Sequence, residues 1–116
     1  MKTAELERGK LNWAVAKCEG FPEIGSWLYD RDWALAGPII EREGILLRPL
    51  RREGHALDGR WLAMLDAGNT GTMVQWIKRT DWLRHYLEGP TPLIAAMRCY
   101  VASKLGDEVE LPKDLQ

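Results

Sequence analysis

One stretch of this 116-residue chain has little choice of conformation: Gly89-Pro90-Thr91-Pro92-Leu93-Ile94-Ala95-Ala96-Met97-Arg98-Cys99-Tyr100-Val101-Ala102-Ser103-Lys104-Leu105-Gly106. Thr91 is a good N-cap. Proline fits the first helical position, because its missing N–H would be unpaired there anyway. Gly106 is a natural stop, since glycine takes the left-handed conformation without a Cβ penalty. Between them Leu93, Ile94, Met97, Tyr100, Val101 and Leu105 recur at helical spacing and predict one broad buried face. Lys104 shares that stripe but sits in the last turn, where its stem can snorkel and its charge meets the negative helix end. Ala95, Cys99, Ala102 and Ser103 form a small-residue face. It is expected to be lightly covered and to admit a neighbouring helix or subunit. Free N–H groups at the Thr91 entrance favour an anion, as they do at any helix start.

The length suits one domain with one core, read here as 1–116 with 111–116 a short tail. A formal charge of −1 supplies no global field to recruit nucleic acid or an anionic membrane. Arg48, Arg51, Arg52 and Arg60 cluster, but Glu41, Glu43, Glu53 and Asp58 are interspersed. Cys18 and Cys99 are the only cysteines and form no CxxC pair. They read as free thiols in a reducing cytoplasm. No apolar run has the shape of a signal peptide or a membrane span.

The residues before the helix fall into two periods. Residues 5–19 read as a helix with Leu11, Ala14, Val15 and Cys18 on its apolar stripe and Gly20 and Pro22 at its end. Trp13 points away from that stripe, toward a neighbouring segment, a subunit contact or a ligand surface. In Asp30-Arg31-Asp32-Trp33 both aspartates are candidate N-caps. A short helix should follow, interrupted early, with Pro38 near the start of its firmer part and Gly44 as its stop. From there the pattern is extended, with strands at 45–50, 60–66 and 72–79 and a fourth short one at 83–87. Asp58-Gly59 and 67–71 are turns. Large apolar residues occupy both faces of these strands, which calls for cover on both sides. The fold class expected is α+β: an antiparallel sheet of three or four strands between helices, an α/β/α sandwich.

Catalytic constellations are absent from the pattern. His55 and His85 have no second ligand at metal-site spacing, so no metal or cofactor is expected. Ser26 and Ser103 lack an elbow motif, and residues 68–72 lack the lysine of a P-loop. Nothing demands an enzyme. The unusual feature is six tryptophans against one phenylalanine. Tryptophan fills cores, and it also stacks on bases and anchors interfaces.

Three stretches carry a family resemblance: 1–6 followed by Leu11-Asn12-Trp13-Ala14-Val15-Ala16-Lys17-Cys18-Glu19-Gly20; Asp32-Trp33 followed by Gly37-Pro38-Ile39-Ile40-Glu41-Arg42-Glu43-Gly44-Ile45; and 89–110. In this order they resemble NinX-like phage and prophage proteins, with nothing specific recognised across 46–88. A more distant similarity joins the family to phage proteins with an α/β/α sandwich domain. The resemblance implies a phage origin and action in the bacterial host cytoplasm, and it brings no catalytic residues. Two readings follow. In the first, the protein binds or sequesters a nucleotide-like ligand to counter host defence, through Arg31, Asp32, Trp33 and Thr91. In the second, it binds a host or phage protein, with Trp13 and Cys99 at a partner or homo-oligomer interface. DNA or RNA binding through the arginine cluster is disfavoured by the near-zero net charge.

Overall fold

A computed structural model describes residues 1–21, 27–51, 53–65 and 86–116. The strand read at 72–79, the turn at 67–71, and His85, Trp76 and Trp82 lie outside them. A 3₁₀ turn at Thr3–Glu5 leads into α1 (Arg8–Cys18). Then come α2 (Trp33–Glu43), β1 (Ile45–Pro49), β2 (Trp61–Leu65), β3 (Tyr86–Gly89), α3 (Pro92–Leu105) and a final 3₁₀ turn at Lys113–Leu115. The class is α+β, with three helices and a three-stranded antiparallel sheet of order β1-β2-β3 among the described residues.

Each element ends for a local reason. Asp32 caps α2 by accepting the Ala34 N–H, and Gly44, at φ 68°, closes it in the left-handed region. The expected early interruption does not occur: α2 is continuous from Trp33 and runs through Pro38. Proline there forfeits one bond to the Ala34 carbonyl, and both residues are exposed, so water can satisfy that oxygen. The β1–β2 connection closes at Leu50 and Arg60, whose backbones pair at 2.8 Å, with Gly59 at φ 85° making the turn. Thr91 caps α3 through its hydroxyl, which accepts the Ile94 N–H, and Pro92 follows as the first helical residue.

Register sorts the sheet into two faces. Ile45 pairs with Leu65, Leu47 with Ala63, and Ala63 with Leu87, and these residues pack with the helices in one core. Leu62 and Met64 point the other way, since strand side chains alternate. They are buried as well, outside that core cluster. The described helices pack against the Ala63 side; the cover expected on the second side falls outside the described residues.

Among the described residues α3 is the common partner, touching all three strands and both other helices. The small-residue face departs from expectation. Ala95 and Cys99 are buried, and only Ala102 and Ser103 remain partly or well exposed. Small side chains let neighbouring elements come close, so this face is covered more tightly than a bulky one would be. Arg98 is also buried at 5% exposure, and its guanidinium donates to the Leu6 carbonyl at 2.7 Å and the Glu88 carbonyl at 2.8 Å. The residues read as a tail return to the body: Leu111 is buried and Leu115 packs on the core.

Close approach is most severe at Gly89, where a Cβ would lie 2.7 Å from the Ala95 backbone nitrogen. Gly89→Ala is expected to destabilise the fold by about 1–3 kcal/mol through overpacking. At Gly37 a Cβ meets nothing within 4 Å. Gly37→Ala should therefore stabilise by about 0.5–1 kcal/mol through helix propensity. Urea denaturation of the two variants measures both.

Candidate binding surface

The segment joining α1 to α2 gathers the exposed aromatics and three of the predicted site residues. Its core is a tight turn in which the Arg31 and Asp32 N–H groups both donate to the Leu28 carbonyl, at 3.1 and 2.8 Å. Tyr29 is buried beneath it. A ladder of rings runs outward from Tyr29: its centroid lies 6.1 Å from that of Trp27, which stacks on Phe21 at 5.0 Å. Phe21, Leu28 and Trp33 are exposed, at 45%, 42% and 54%. Trp33 is the first residue of α2, so the Asp32 cap that starts the helix also fixes where this ring leaves the backbone.

The aspartates divide their work in a way the sequence did not disclose. Asp32 caps, but Asp30 does not. Asp30 is buried at 6% exposure and accepts Asn12 Nδ2 at 3.1 Å, while its own N–H donates to Asn12 Oδ1 at 3.0 Å. Both of its carboxylate oxygens also accept from Arg31, from Nε and Nη2 at 3.1 Å each. Burial pushes this carboxyl upward, but the Arg31 and Asn12 hydrogen bonds outweigh burial and hold it below its ordinary value. Arg31 is thus gripped along one edge while its side chain stays well exposed. Its Nη1 has no partner among the described residues.

The remaining predicted positions are engaged in capping or packing. Thr91 is exposed and its hydroxyl is occupied as a cap; no hydrogen bond or ion pair joins it to the 28–33 turn among the described residues. Trp13 is half-buried against the core, with the Lys17 ammonium 5.2 Å from its ring. Cys99 is buried within the chain itself. Burial pushes the Cys99 thiol up to about 12 and the Cys18 thiol up to about 11, so both stay protonated near neutrality. His55 serves its own turn, its Nδ1 accepting the Leu57 N–H. No group of metal-ligating side chains occurs among the described residues.

A second polar cluster ties the ends of the three helices together. Glu19 accepts from Arg42 Nη1 and Nη2 at 3.2 and 2.8 Å and from the Tyr100 hydroxyl. Arg42 also donates to Glu43, and Lys104 pairs with Glu43 at 3.0 Å. Each charge is answered by an opposite one, which marks a fastening rather than a site. A cleft of about 340 Å³, lined by Glu7, Arg8, Lys10, Asp114 and both chain ends, shares no residue with the 28–33 turn.

The family comparison covers the second half of the turn and the elements that follow it in the chain. The model described as Bacteriophage P22, NinX matches residues 30–104, well over half the chain. The chain belongs to the phage P22 NinX family. The match begins at Asp30 and ends at Lys104, so it takes in the Arg31–Trp33 surface, α2, the sheet and nearly all of α3. It leaves out α1 and with it Asn12. No curated protein matches the chain. No described helix is long and apolar enough to cross a membrane.

The Glu19 cluster gives this NinX-family protein a defined acid response. Arg42 hydrogen bonding holds the Glu19 carboxyl below its ordinary value, against burial and with help from Tyr100. The stabilisation is therefore complete above the unfolded carboxylate range near ~4.3 and is lost as pH falls through the lower folded value. Thermal melts should show Arg42→Ala less stable than wild type at pH 7. The gap should narrow as pH falls below the ordinary carboxylate range and through the lowered Glu19 value.

Proposed function

We propose that this NinX-family protein is a phage accessory protein of the bacterial host cytoplasm that binds a nucleotide-like ligand without altering it. Sequestering such a ligand would counter host defence. The observation that carries the reading is the pairing of an oriented guanidinium with an open indole: Asp30 grips one edge of Arg31, and Trp33 stands exposed two residues on. An indole face supports stacking of a planar base, and an arginine edge suits phosphate. Both thiols are protonated and the second charged cluster is paired internally, which favours binding over nucleophilic chemistry.

Calorimetric titration with a panel of mono-, di- and cyclic dinucleotides tests this directly. At least one should bind and be recovered intact after denaturation of the protein. Stacking is worth about 1–3 kcal/mol per base, so Trp33→Ala should weaken binding about 5- to 150-fold. Failure of the whole panel to produce heat or a thermal shift would sink the reading.

A protein partner is the second reading, and one observation favours it: Phe21 and Leu28 are exposed along with Trp33, giving an apolar surface wider than one base needs. Capture from host lysate should then give one stoichiometric partner, lost on Phe21→Ser and Trp33→Ser together. Capture unaffected by those changes would place the contact elsewhere.

A further inference from the structure

We propose that Asn12 and Asp30 are a buried positioning pair that sets the 28–33 turn in its binding geometry before any ligand arrives, an inference that rests on the binding reading above. Asn12 lies on α1 among fully buried Leu11, Val15 and Ala16, where an apolar residue would be the cheaper choice. A buried amide is tolerated only when its hydrogen bonds are made. Asn12 spends both ends of its amide on Asp30, one on the carboxylate and one on the backbone N–H. The two bonds span 18 residues and join the packed helix to the turn.

The pair has no other task in sight. Asp32 already caps α2, so Asp30 is not needed at the helix start. Asp30 instead passes its own position outward. With its Oδ1 and its backbone N–H both held by Asn12, it grips Arg31 through Nε and Nη2 and so fixes the orientation of the guanidinium. No buried side-chain nitrogen or oxygen among the described residues lacks a partner. Removing one member therefore leaves the other's buried groups unanswered. In some proteins, fully satisfied buried networks of this kind fix one conformation rather than add stability, which is the role assigned to this pair.

Amide exchange read by NMR on the free protein tests the role. The Arg31 and Asp32 N–H groups, both bonded to the Leu28 carbonyl, report the turn; the amides of Met97 to Val101 in α3 report the fold. Asn12→Ala, or Asn12→Ser where the former does not fold, should raise exchange at the turn about tenfold beyond any rise in α3. Asp30→Asn keeps an oxygen for the Asn12 amide and the backbone N–H that Asn12 accepts, and should hold turn exchange within about threefold of wild type, whereas Asp30→Ala should raise it as Asn12→Ala does. A merely structural role would move turn and α3 together and would not distinguish Asp30→Asn from Asp30→Ala. No ligand enters the measurement, so an empty nucleotide panel and a failed positioning role give separate results. Turn exchange that rises only in step with α3, or that is as high in Asp30→Asn as in Asp30→Ala, overturns the proposal.

Discussion

The burial of Arg98 in the middle of α3 sets conditions that the rest of the molecule has to meet. A guanidinium taken out of water needs acceptors, and burial alone already pulls this one below its ordinary value. Its acceptors are main-chain carbonyls, from Leu6 before α1 and from Glu88 in β3. The contact therefore requires the N-terminal segment and the sheet edge to arrive at the same helix face together. Gly89 makes the same demand sterically, since only a residue without a side chain lets β3 lie against the first turn of α3. One helix thus fixes the chain on both sides of it, by charge at Arg98 and by contact distance at Gly89.

Much of this frame is legible in the sequence because it depends on local signals. Thr91-Pro92 and Gly106 bound α3, Asp32 and Gly44 bound α2, and Asp58-Gly59 turns the first hairpin. Each works within a few residues of itself, where propensity and capping hold. The failures have a common cause. The Gly37-Pro38 pair suggests an interrupted helix because its local effect is real, but an exposed carbonyl four residues before Pro38 makes that effect cheap. The small face of α3 was read as lightly covered because side-chain size says nothing about what approaches. Arg98 drew no notice, since a charged residue inside an apolar stripe is usually taken as its edge.

The candidate surface divides in the same way. Asp32 and Trp33 were found from the cap and the aromatic, both local features. Asn12 and the pairing of Asp30 were missed, because that contact joins residues far apart in the chain. A signal was present: Asn12 sits beside Leu11 on the buried side of α1, and a polar residue there must find a partner. Two clusters now frame the helices from opposite kinds of contact. The Glu19–Arg42–Tyr100–Glu43–Lys104 group fastens the helix ends and leaves no charge unanswered. The Asn12–Asp30–Arg31 series runs from core to surface and ends on a guanidinium with one edge still open.

That difference bears on what a binding surface requires. Immobilising a rotamer-rich side chain on binding costs about 0.5–1.5 kcal/mol, and a mobile turn adds its backbone to the cost. An arginine already gripped by a buried carboxylate has met much of that cost during folding. The same carboxylate lowers the net positive charge that a phosphate would feel, so orientation is gained at the expense of attraction. Trp33 has no such conflict, because an indole placed by a capped helix start carries no charge for a neighbour to offset. On the proposed binding reading, strength would come from the ring and selectivity from the arginine, with the exposed Phe21 and Leu28 bearing on the size of the occupant.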